Sequence, residues 1–235
     1  MTFHPALGPL FARMSALSDH GTAGLVILDL DSTALSTRAR QHRILVDYAA
    51  RHPSAELRAA VADVAPEEIG FLIETPLLER GVDPHTFHDL RAFWLPRFFS
   101  NSYADLDIPN PGAPELARAI VEGGGVVYYL TARPHGMWRA TVDVLFRYGF
   151  PVLRGRGVLH MKPSPEVDDA AFKRDAMHEV RSLGHPVVAT FDNEPKHVHT
   201  YLEAFPEALH VLFGDIRSPR APEPDPSLVQ LPSFV

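Results

Sequence analysis

Short apolar runs alternate along the chain with longer segments in which apolar residues recur at helical spacing. The clearest runs are bounded by turn-forming residues, as buried strands are, and cover 25–28, 126–130, 187–191 and 209–213. A weaker pair of strand-like runs covers 151–153 and 157–161. Glycine closely follows each of the helical segments, which cover 115–122, 135–148 and 168–182. Alternating strands and helices predict an α/β fold with a parallel sheet.

Between residues 33 and 108 the alternation breaks, and the sequence contains no convincing strand pattern. Prolines separate segments that look helical, which cover 38–50, 55–64, 66–72 and 86–98. We interpret 33–108 as a helical insert after the first strand, and 1–32 with 109–235 as the α/β core. A short helix is expected within 1–20 and an extended, proline-rich tail from Arg217 onward. Four apolar tail residues are expected to dock on the core: Leu228, Val229, Leu231 and Phe234.

Composition is that of a globular protein and argues against several classes of function. The chain has 235 residues, of which 46% are hydrophobic and 22% charged. Its net charge of −7 argues against a general attraction to nucleic acid or anionic lipid. The absence of cysteine excludes disulfides, thiolate metal sites and cysteine nucleophiles. The sequence shows neither an apolar stretch of ~20 residues nor a signal-peptide pattern, so we expect a cytoplasmic protein with no membrane partner.

Two acidic residues stand at the carboxyl end of the first predicted strand. Asp29 and Asp31 follow the apolar run 25–28, and both lie on one face because strand side chains alternate. Neighbouring carboxylates at a buried strand end repel each other and lose hydration, a cost that a divalent cation would remove. The alternative is structural, with one aspartate capping the next helix and the other ending a turn.

Two other predicted strands also end in residues suited to phosphate or metal. After the second strand, Thr131 offers a hydroxyl, the turn beyond it offers backbone N–H groups, and Arg133 offers a forked cation. Asp192, Asn193 and Glu194 follow the strand at 187–191 and offer oxygen ligands of the kind that Mg²⁺ takes. Because the carboxyl ends of parallel strands lie at one edge of the sheet, these side chains are expected to converge.

In this order the residues resemble the four motifs of the haloacid dehalogenase-like hydrolase superfamily. The segment Asp29-Leu-Asp-Ser-Thr33 matches the first motif, Thr131 the second, a lysine the third and Asp192 the fourth. The resemblance covers about 22–32 and 109–215. It implies a Rossmann-like parallel core, with the insert at 33–108 in the position of the family's helical cap. The stretch from Thr131 to Asp192 also resembles the phosphatase domain of polynucleotide kinase-phosphatases.

The resemblance implies a Mg²⁺-dependent phosphomonoester hydrolase that works through an aspartyl-phosphate. Asp29 would be the nucleophile and a metal ligand, while Asp31 would be the general acid and base and bind the metal through its carbonyl. An acid at that position suits an alkoxide leaving group, which needs a proton, better than a halide, which does not. The metal would also be held by Asp192 and Asn193. Catalysis would use Thr131 and Lys173 as well, and the phosphoryl group would be bound by Thr131, Ala132, Arg133 and Lys162.

Two positions depart from the family pattern and leave alternatives open. Lys162, in Met-Lys-Pro, and Lys173, in Phe-Lys-Arg-Asp, both qualify as the lysine of the third motif. Lys173 is favoured because its helix leads directly into the strand that ends at the fourth motif. That motif lacks a second aspartate, so either Asn193 or Glu194 could serve the metal, directly or through water.

The expected partner is a small phosphorylated metabolite or nucleotide. The alternatives are a nucleic-acid end phosphatase, a phosphate-binding protein without turnover, and a receiver domain, although receivers are shorter and carry the phospho-accepting aspartate on a later strand. Acidic residues outnumber lysine and arginine within 34–108, which argues against binding a nucleic-acid polymer. Paired carboxylates argue against a site that only binds phosphate.

Several other residues receive structural interpretations. His197 and His199 are two positions apart on a predicted helix and do not face each other, so no zinc site is expected there. Arg154 and Arg156 are expected in a solvated loop. The aromatic residues of the insert are expected to pack its core, although some could line a cap over the site: Phe93, Trp94, Phe98 and Phe99.

Overall fold

A six-stranded parallel sheet lies at the centre of the computed structural model, which describes residues 2–153 and 155–235. Arg154, predicted in a loop, lies outside the described residues. Two further strands, β2 and β3, form a separate ladder. The strands are β1 (Leu25–Leu28), β2 (Leu35–Ser36), β3 (Ile108–Pro109), β4 (Val126–Pro134), β5 (Gly157–Lys162), β6 (Val187–Asp192), β7 (Leu209–Phe213) and β8 (Val229–Leu231).

The strand order places β1 between two strands that are far from it in the sequence. The sheet runs β5-β4-β1-β6-β7-β8, so β1 pairs in parallel with β4 on one side and with β6 on the other. After β5 the chain crosses back to the opposite side of β1, and the order therefore reverses between β1 and β6. In open α/β sheets, ligands bind at such a reversal, beside the carboxyl ends of the strands. Asp29 and Asp192 lie at this point.

Helices cover both faces of the sheet and form two apolar cores. Side chains of β1 alternate between them, with Val26 and Leu28 in one core and Leu25 and Ile27 in the other. The first core is completed by α1 (Gly8–Asp19), α7 (Ala113–Glu122) and α8 (Trp138–Arg147). The second is completed by α9 (Asp169–Ser182) and α10 (Pro195–Ala204). This three-layer arrangement confirms the predicted α/β class and Rossmann-like parallel core.

The segment after β1 is helical and has an apolar core of its own, which includes Ile44, Leu57, Leu77 and Leu90. Its helices are α2 (Arg38–Ala49), α3 (Ala55–Ala62), α4 (Thr75–Glu79), α5 (Phe87–Phe98) and α6 (Asn101–Ala104). The antiparallel pair β2–β3 joins the two chain segments at its base. Each of these strands has two residues, too few to produce a periodic pattern. The expectation that 33–108 contains no strand was therefore wrong, and the boundaries of core and insert remain a prediction.

Other boundaries differ from the sequence prediction for local reasons. The segment 151–153 is not a strand, and 66–72 forms only a 3₁₀ turn at Pro66–Glu68. The strand predicted at 126–130 continues to Pro134, so the turn expected directly after Thr131 is absent. Its pairing with β5 shifts register between Thr131 and Pro134, which allows the strand to continue past the regular ladder. Across the described residues, every helix is too short or too polar to be a membrane span.

The tail docks on the core more closely than predicted, because part of it becomes strand β8 beside β7. Leu228, Leu231 and Phe234 are buried, while Val229 is half-buried. The Phe234 ring is fully buried and stacks on Phe213 with 4.3 Å between centroids. The tail therefore completes one edge of the sheet and one end of its core.

Replacing Phe234 with alanine is expected to destabilise the protein by about 3–5 kcal/mol, because it leaves a cavity beside Phe213. The free energy of unfolding in urea measures this loss. Val235→Ala is the matched control, because Val235 is 41% exposed and its truncation should cost less than about 0.5 kcal/mol. Equal midpoints for the two variants would show that the tail does not contribute to the core.

Candidate active site

The turn after β1 carries the two aspartates of the first motif. Ser32 has φ +61°, a left-handed conformation that costs a non-glycine residue about 1 kcal/mol or more. Its N–H donates to the Leu35 carbonyl at 2.7 Å, and the Thr33 N–H donates to the Leu30 carbonyl at 3.1 Å. These backbone bonds hold a tight turn that begins directly after Asp29 and contains Asp31. The two carboxylates consequently have different partners.

Lys173 joins the ends of β1 and β6. Its ammonium donates to Asp29 Oδ1 at 2.7 Å and to Asp192 Oδ2 at 2.6 Å. All three side chains are buried. The helix that carries Lys173 begins at a regular cap, in which the Asp168 carboxylate accepts the Ala171 N–H at 2.9 Å. The structure thus selects Lys173, and not Lys162, as the lysine beside the two aspartates.

The charges in this triad do not balance. One ammonium lies between two carboxylates, which leaves one excess negative charge when all three groups are ionised. Burial, opposed by Lys173 and reinforced by Asp192, raises the pKa of Asp29 to about 7. Burial would also raise the pKa of Asp192, but Lys173 and His197 hold it below its usual value. Asp29 is therefore the carboxylate that would gain most from an added cation.

Asp192 is surrounded by donors on both oxygens. Besides Lys173, its Oδ2 accepts the Tyr201 hydroxyl at 2.9 Å. Its Oδ1 accepts the Glu194 N–H at 3.0 Å and lies 3.3 Å from Nδ1 of His197. These contacts use the four acceptor positions of a carboxylate. Asp192 is thereby fixed in orientation, and it would have to exchange one of these donors to bind a metal.

Glu194 has a side-chain oxygen free to bind a metal, whereas both polar side-chain atoms of Asn193 already have partners. The Asn193 amide donates to the Ile216 carbonyl at 2.6 Å, and its Oδ1 accepts the Thr33 hydroxyl at 3.4 Å. Glu194 Oε1 accepts the Ser218 N–H at 2.6 Å, whereas its Oε2 is buried without a hydrogen-bond partner in the described part of the chain. Burial raises the pKa of Glu194. Of the two candidates left open by the sequence, the geometry favours Glu194.

The residues at this edge fit a hard divalent cation, although they do not form a complete cage. Within 2–153 and 155–235, no three histidine, aspartate or glutamate side chains already form a cation site. The excess negative charge of the triad and the unpartnered Glu194 oxygen nevertheless match oxygen-preferring ions such as Mg²⁺. Asp29 and Glu194 would hold such an ion, together with Asp192 once it exchanged a donor.

Asp31 belongs to a separate group of charges, which we call the ion cluster and define as Asp31, Arg40, Asp107 and Arg133. Asp31 Oδ1 accepts Nη2 of Arg40 at 2.9 Å and both Nε, at 3.0 Å, and Nη2 of Arg133. Asp107 lies 2.5 Å from Nη2 of Arg133 and 3.0 Å from Nε of Arg40. Two carboxylates and two guanidiniums give no net charge.

The ion cluster connects the insert to the core. Arg40 is on α2 and Asp107 precedes β3, whereas Asp31 and Arg133 follow or end strands of the main sheet. Three of the four side chains are fully buried, and Asp31 is 27% exposed. Burial would raise the pKa of Asp31, but Arg133 and Arg40 lower it to about 2. The structure therefore favours Asp31 as a carboxylate, whose basicity is low while both arginines contact it.

Arg133 does not have the role predicted from the sequence. Its guanidinium donates to Asp31, Asp107 and, at 3.3 Å, the Thr141 hydroxyl, so its donors are engaged inside the protein. The prediction that Arg133 binds the phosphoryl group is corrected for this reason. Lys162 is also occupied elsewhere, because its ammonium donates to Asp169 Oδ1 at 2.6 Å.

Thr131 and Ala132 line a cavity of about 220 Å³ together with Asp29, Asp31 and Lys173. Thr131 is buried, and its hydroxyl accepts the Arg133 N–H at 3.2 Å. Further core residues line it as well, among them Asn193, Glu194 and His197, and the insert supplies the remaining wall. Its lining residues are Thr37, Gln41, Phe71, Trp94, Phe98 and Phe99. Of the four aromatic residues expected in the core of the insert, three thus reach the cavity, and Phe93 instead packs against Tyr48.

Sequence reasoning missed Arg40, Asp107 and Gln41. Arg40 and Gln41 lie in a helix with several polar residues, and spacing alone cannot show which of them turn inward. Asp107 lies in the proline-containing segment 105–114, which has no periodic pattern to show which side chains turn inward. A signal was available in retrospect, since Asp107 precedes an apolar residue and a proline and is therefore poorly placed to cap a helix.

Solved structures share this fold across almost the whole chain, although comparison with protein-family models and with curated proteins found no match. A structure described as a predicted phosphatase from Clostridium acetobutylicum has a TM-score of 0.54 and 12% identity, over 90% of this chain and 94% of its own. A HAD-superfamily hydrolase from Ehrlichia chaffeensis has a TM-score of 0.53 and 10% identity, over 90% and 91%. A haloacid dehalogenase-like family protein from Streptococcus pneumoniae has 0.51 and 11%, over 89% and 93%.

The chain therefore has the haloacid dehalogenase-like fold, which confirms the resemblance seen in the sequence. At 10–12% identity these matches establish the fold and leave the activity to be argued from the site. The likeness to polynucleotide kinase-phosphatases stays a prediction.

Replacing Asp107 with alanine is expected to destabilise the protein by about 3–5 kcal/mol, because it leaves two buried guanidiniums with a single carboxylate. The free energy of unfolding in urea measures the loss. Asp105→Ala removes an aspartate two residues away, whose pair with Arg147 is on the surface, and should cost less than about 1 kcal/mol. Similar losses for both variants would count against a structural role for the ion cluster.

Proposed function

We propose that the protein is a Mg²⁺-dependent phosphomonoester hydrolase that forms an aspartyl-phosphate on Asp29. The observation that carries the proposal is the arrangement of Asp29, at the reversal point of the sheet. There it contacts a buried lysine and lines a cavity closed by the insert. The haloacid dehalogenase-like fold, seen in structures described as hydrolases and phosphatases, supports the same reaction class.

In the first step the Asp29 carboxylate attacks phosphorus, and the bond between phosphorus and the leaving oxygen breaks. Asp29 and Glu194 would hold Mg²⁺, which would supply neutralisation of charge on the nucleophile and the phosphoryl oxygens. Lys173 orients Asp29 through its 2.7 Å hydrogen bond and favours the ionised carboxylate. Thr131, with its buried hydroxyl on the cavity wall, is placed to contact the phosphoryl group.

In the second step a water molecule attacks phosphorus and Asp31 accepts a proton of that water. The bond between phosphorus and the Asp29 oxygen breaks, which releases inorganic phosphate and restores the Asp29 carboxylate. The two arginines that contact Asp31 keep it in the required ionised form. Protonation of the leaving oxygen in the first step is the other role proposed for Asp31. Both roles require the contacts of Arg40 and Arg133 with Asp31 to weaken when substrate binds, because they hold the pKa of Asp31 at about 2.

A small phosphorylated molecule fits this site better than a nucleic-acid polymer. The insert closes the cavity with aromatic side chains, and acidic residues outnumber basic ones across 34–108. A cavity of about 220 Å³ is below the range of ~300–1,000 Å³ typical of ligand sites. The small volume supports a monomeric phosphate ester.

Replacing Asp29 with asparagine is expected to reduce phosphate release from p-nitrophenyl phosphate by at least about 10³-fold, because the amide is not a nucleophile. The assay measures inorganic phosphate with Mg²⁺ present. The control is Asp143→Asn, which changes an exposed aspartate on α8 and should retain full activity. Undiminished activity in the Asp29 variant would end the assignment.

Removal of Mg²⁺ with EDTA is expected to abolish activity, and added Mg²⁺ should restore it.

Glu194→Gln should raise the Mg²⁺ concentration for half-maximal activity about tenfold or more, because the free carboxylate oxygen becomes a neutral amide oxygen. Asn193→Ala should raise it less. The control Glu203→Gln, on the exposed face of α10, should leave it unchanged. A larger effect at Asn193 than at Glu194 would reverse the ligand assignment.

A further inference from the structure

The contribution of the insert to the cavity wall is mostly aromatic. Phe71, Trp94, Phe98 and Phe99 all line the cavity that holds Asp29. The rings of Trp94 and Phe98 stack with 4.5 Å between centroids, and those of Phe98 and Phe99 meet edge to face at 5.1 Å. Aromatic faces prefer further rings in stacked or edge-to-face geometry. The wall therefore favours a flat leaving group.

The same wall carries no charge. Among the described residues, the insert contributes no lysine, arginine, aspartate or glutamate to the lining of this cavity. Nearby arginines already have partners within the protein. Arg40 contacts the ion cluster and lies over the Phe98 ring at 4.0 Å, Arg91 pairs with Glu74, and Arg97 lies over the Phe93 ring at 3.4 Å. A second phosphate or a carboxylate on the leaving group would meet no partner on this wall, which favours an uncharged leaving group.

Two residues of the wall each have a buried polar atom without a hydrogen-bond partner in the described part of the chain. Gln41 is 4% exposed, and its amide nitrogen lies 3.3 Å from the Thr37 hydroxyl and 3.4 Å from the Gly70 carbonyl. Its Oε1 has no hydrogen-bond partner in the described part of the chain, and neither does Nε1 of Trp94. Leaving such atoms unpaired costs free energy that a ligand can offset. Gln41 Oε1 needs a donor, and Trp94 Nε1 needs an acceptor.

From these observations we propose the substrate class, an inference that rests on the proposed function. The substrate is a phosphomonoester whose leaving group is a single uncharged aromatic or heteroaromatic ring. The ring carries a polar substituent, such as a hydroxyl, that donates to Gln41 and accepts from Trp94. The cavity of about 220 Å³ has room for the phosphoryl group and a ring of this size. Trp94 and Gln41 are the residues that set the specificity.

Matched substrates test the preference for a ring. Benzyl phosphate and cyclohexylmethyl phosphate both release a primary alcohol and differ in the aromaticity of the ring. The wild-type kcat/KM is expected to favour benzyl phosphate by about threefold to tenfold, the size of an aromatic contact. A ratio near one, or a preference for cyclohexylmethyl phosphate, would overturn the proposal.

A second pair of substrates tests the polar contact. The kcat/KM for 3-hydroxybenzyl phosphate is expected to exceed that for 3-methylbenzyl phosphate by about threefold to tenfold, the effect of one hydrogen bond.

Gln41→Leu should remove this second preference, for the hydroxyl substituent, and keep the preference for an aromatic ring. Trp94→Leu should remove the preference for a ring. Persistence of either preference in its variant would contradict the assigned role.

Phe93→Leu is the matched control for Trp94→Leu. It removes a ring from the same helix, but Phe93 packs against Tyr48 inside the insert and does not line the cavity. Both substrate ratios should stay at their wild-type values in this variant. A loss of either ratio would attribute the preference to the general packing of the insert and would overturn the role of Trp94.

A binding measurement separates failure of this inference from failure of the proposed function. The chain has two tryptophans, so Trp138→Phe, at a position 49% exposed, leaves Trp94 as the fluorescent reporter. With Mg²⁺ present, benzylphosphonate should change Trp94 fluorescence at a concentration about threefold to tenfold lower than cyclohexylmethylphosphonate. This preference without turnover of any ester would support the ring site and refute the hydrolase, whereas turnover without this preference would refute the ring site alone.

Discussion

The edge of the sheet is built around a single ammonium group shared by two carboxylates. Lys173 comes from a helix, and it meets Asp29 and Asp192 at the ends of two adjacent central strands. Its own pKa, which burial alone would lower, is held well above the usual value by Asp192 and Asp29. Because these three groups are buried, removing Lys173 would leave two carboxylates without a compensating charge. The shared contacts of Lys173 therefore fix α9 and the ends of β1 and β6 relative to one another, and with them this side of the cavity.

A second set of buried charges fixes the insert over that floor. The ion cluster is neutral and well connected, whereas the triad beside it has an excess negative charge. The ion cluster and the triad therefore have different roles. The ion cluster joins the helical insert to the sheet. The triad retains an uncompensated negative charge, which would attract a cation to the place where we propose that phosphate binds. Asp29 lies at the end of β1 and Asp31 in the turn that follows it, so the two carboxylates contact different partners.

The parts of the fold that were predictable from the sequence are those with a long, regular pattern. The central strands and the helices between them show it, and so do Asp29, Asp192 and Lys173, because strand ends in a parallel sheet must meet. The strand β8 and the pair β2–β3 are short and depend on contacts far along the chain, which no local pattern records. Arg133 shows that the same limit applies to predicting the chemical role of a residue. Its position after a strand suggested phosphate, but its actual partner Asp107 could be found only through the fold.

The position of β1 in the middle of the sheet also determines how the chain can fold. Leu25 pairs with Val126 on one side and with Val187 on the other, so the sheet closes only after distant segments have found each other. The insert, in contrast, draws its apolar core from neighbouring helices within 44–103. Local contacts form faster than distant ones, because less chain entropy is lost before the first contact is made. The helical insert is thus expected to collapse early, and docking of β1 between its two partners to limit the overall rate.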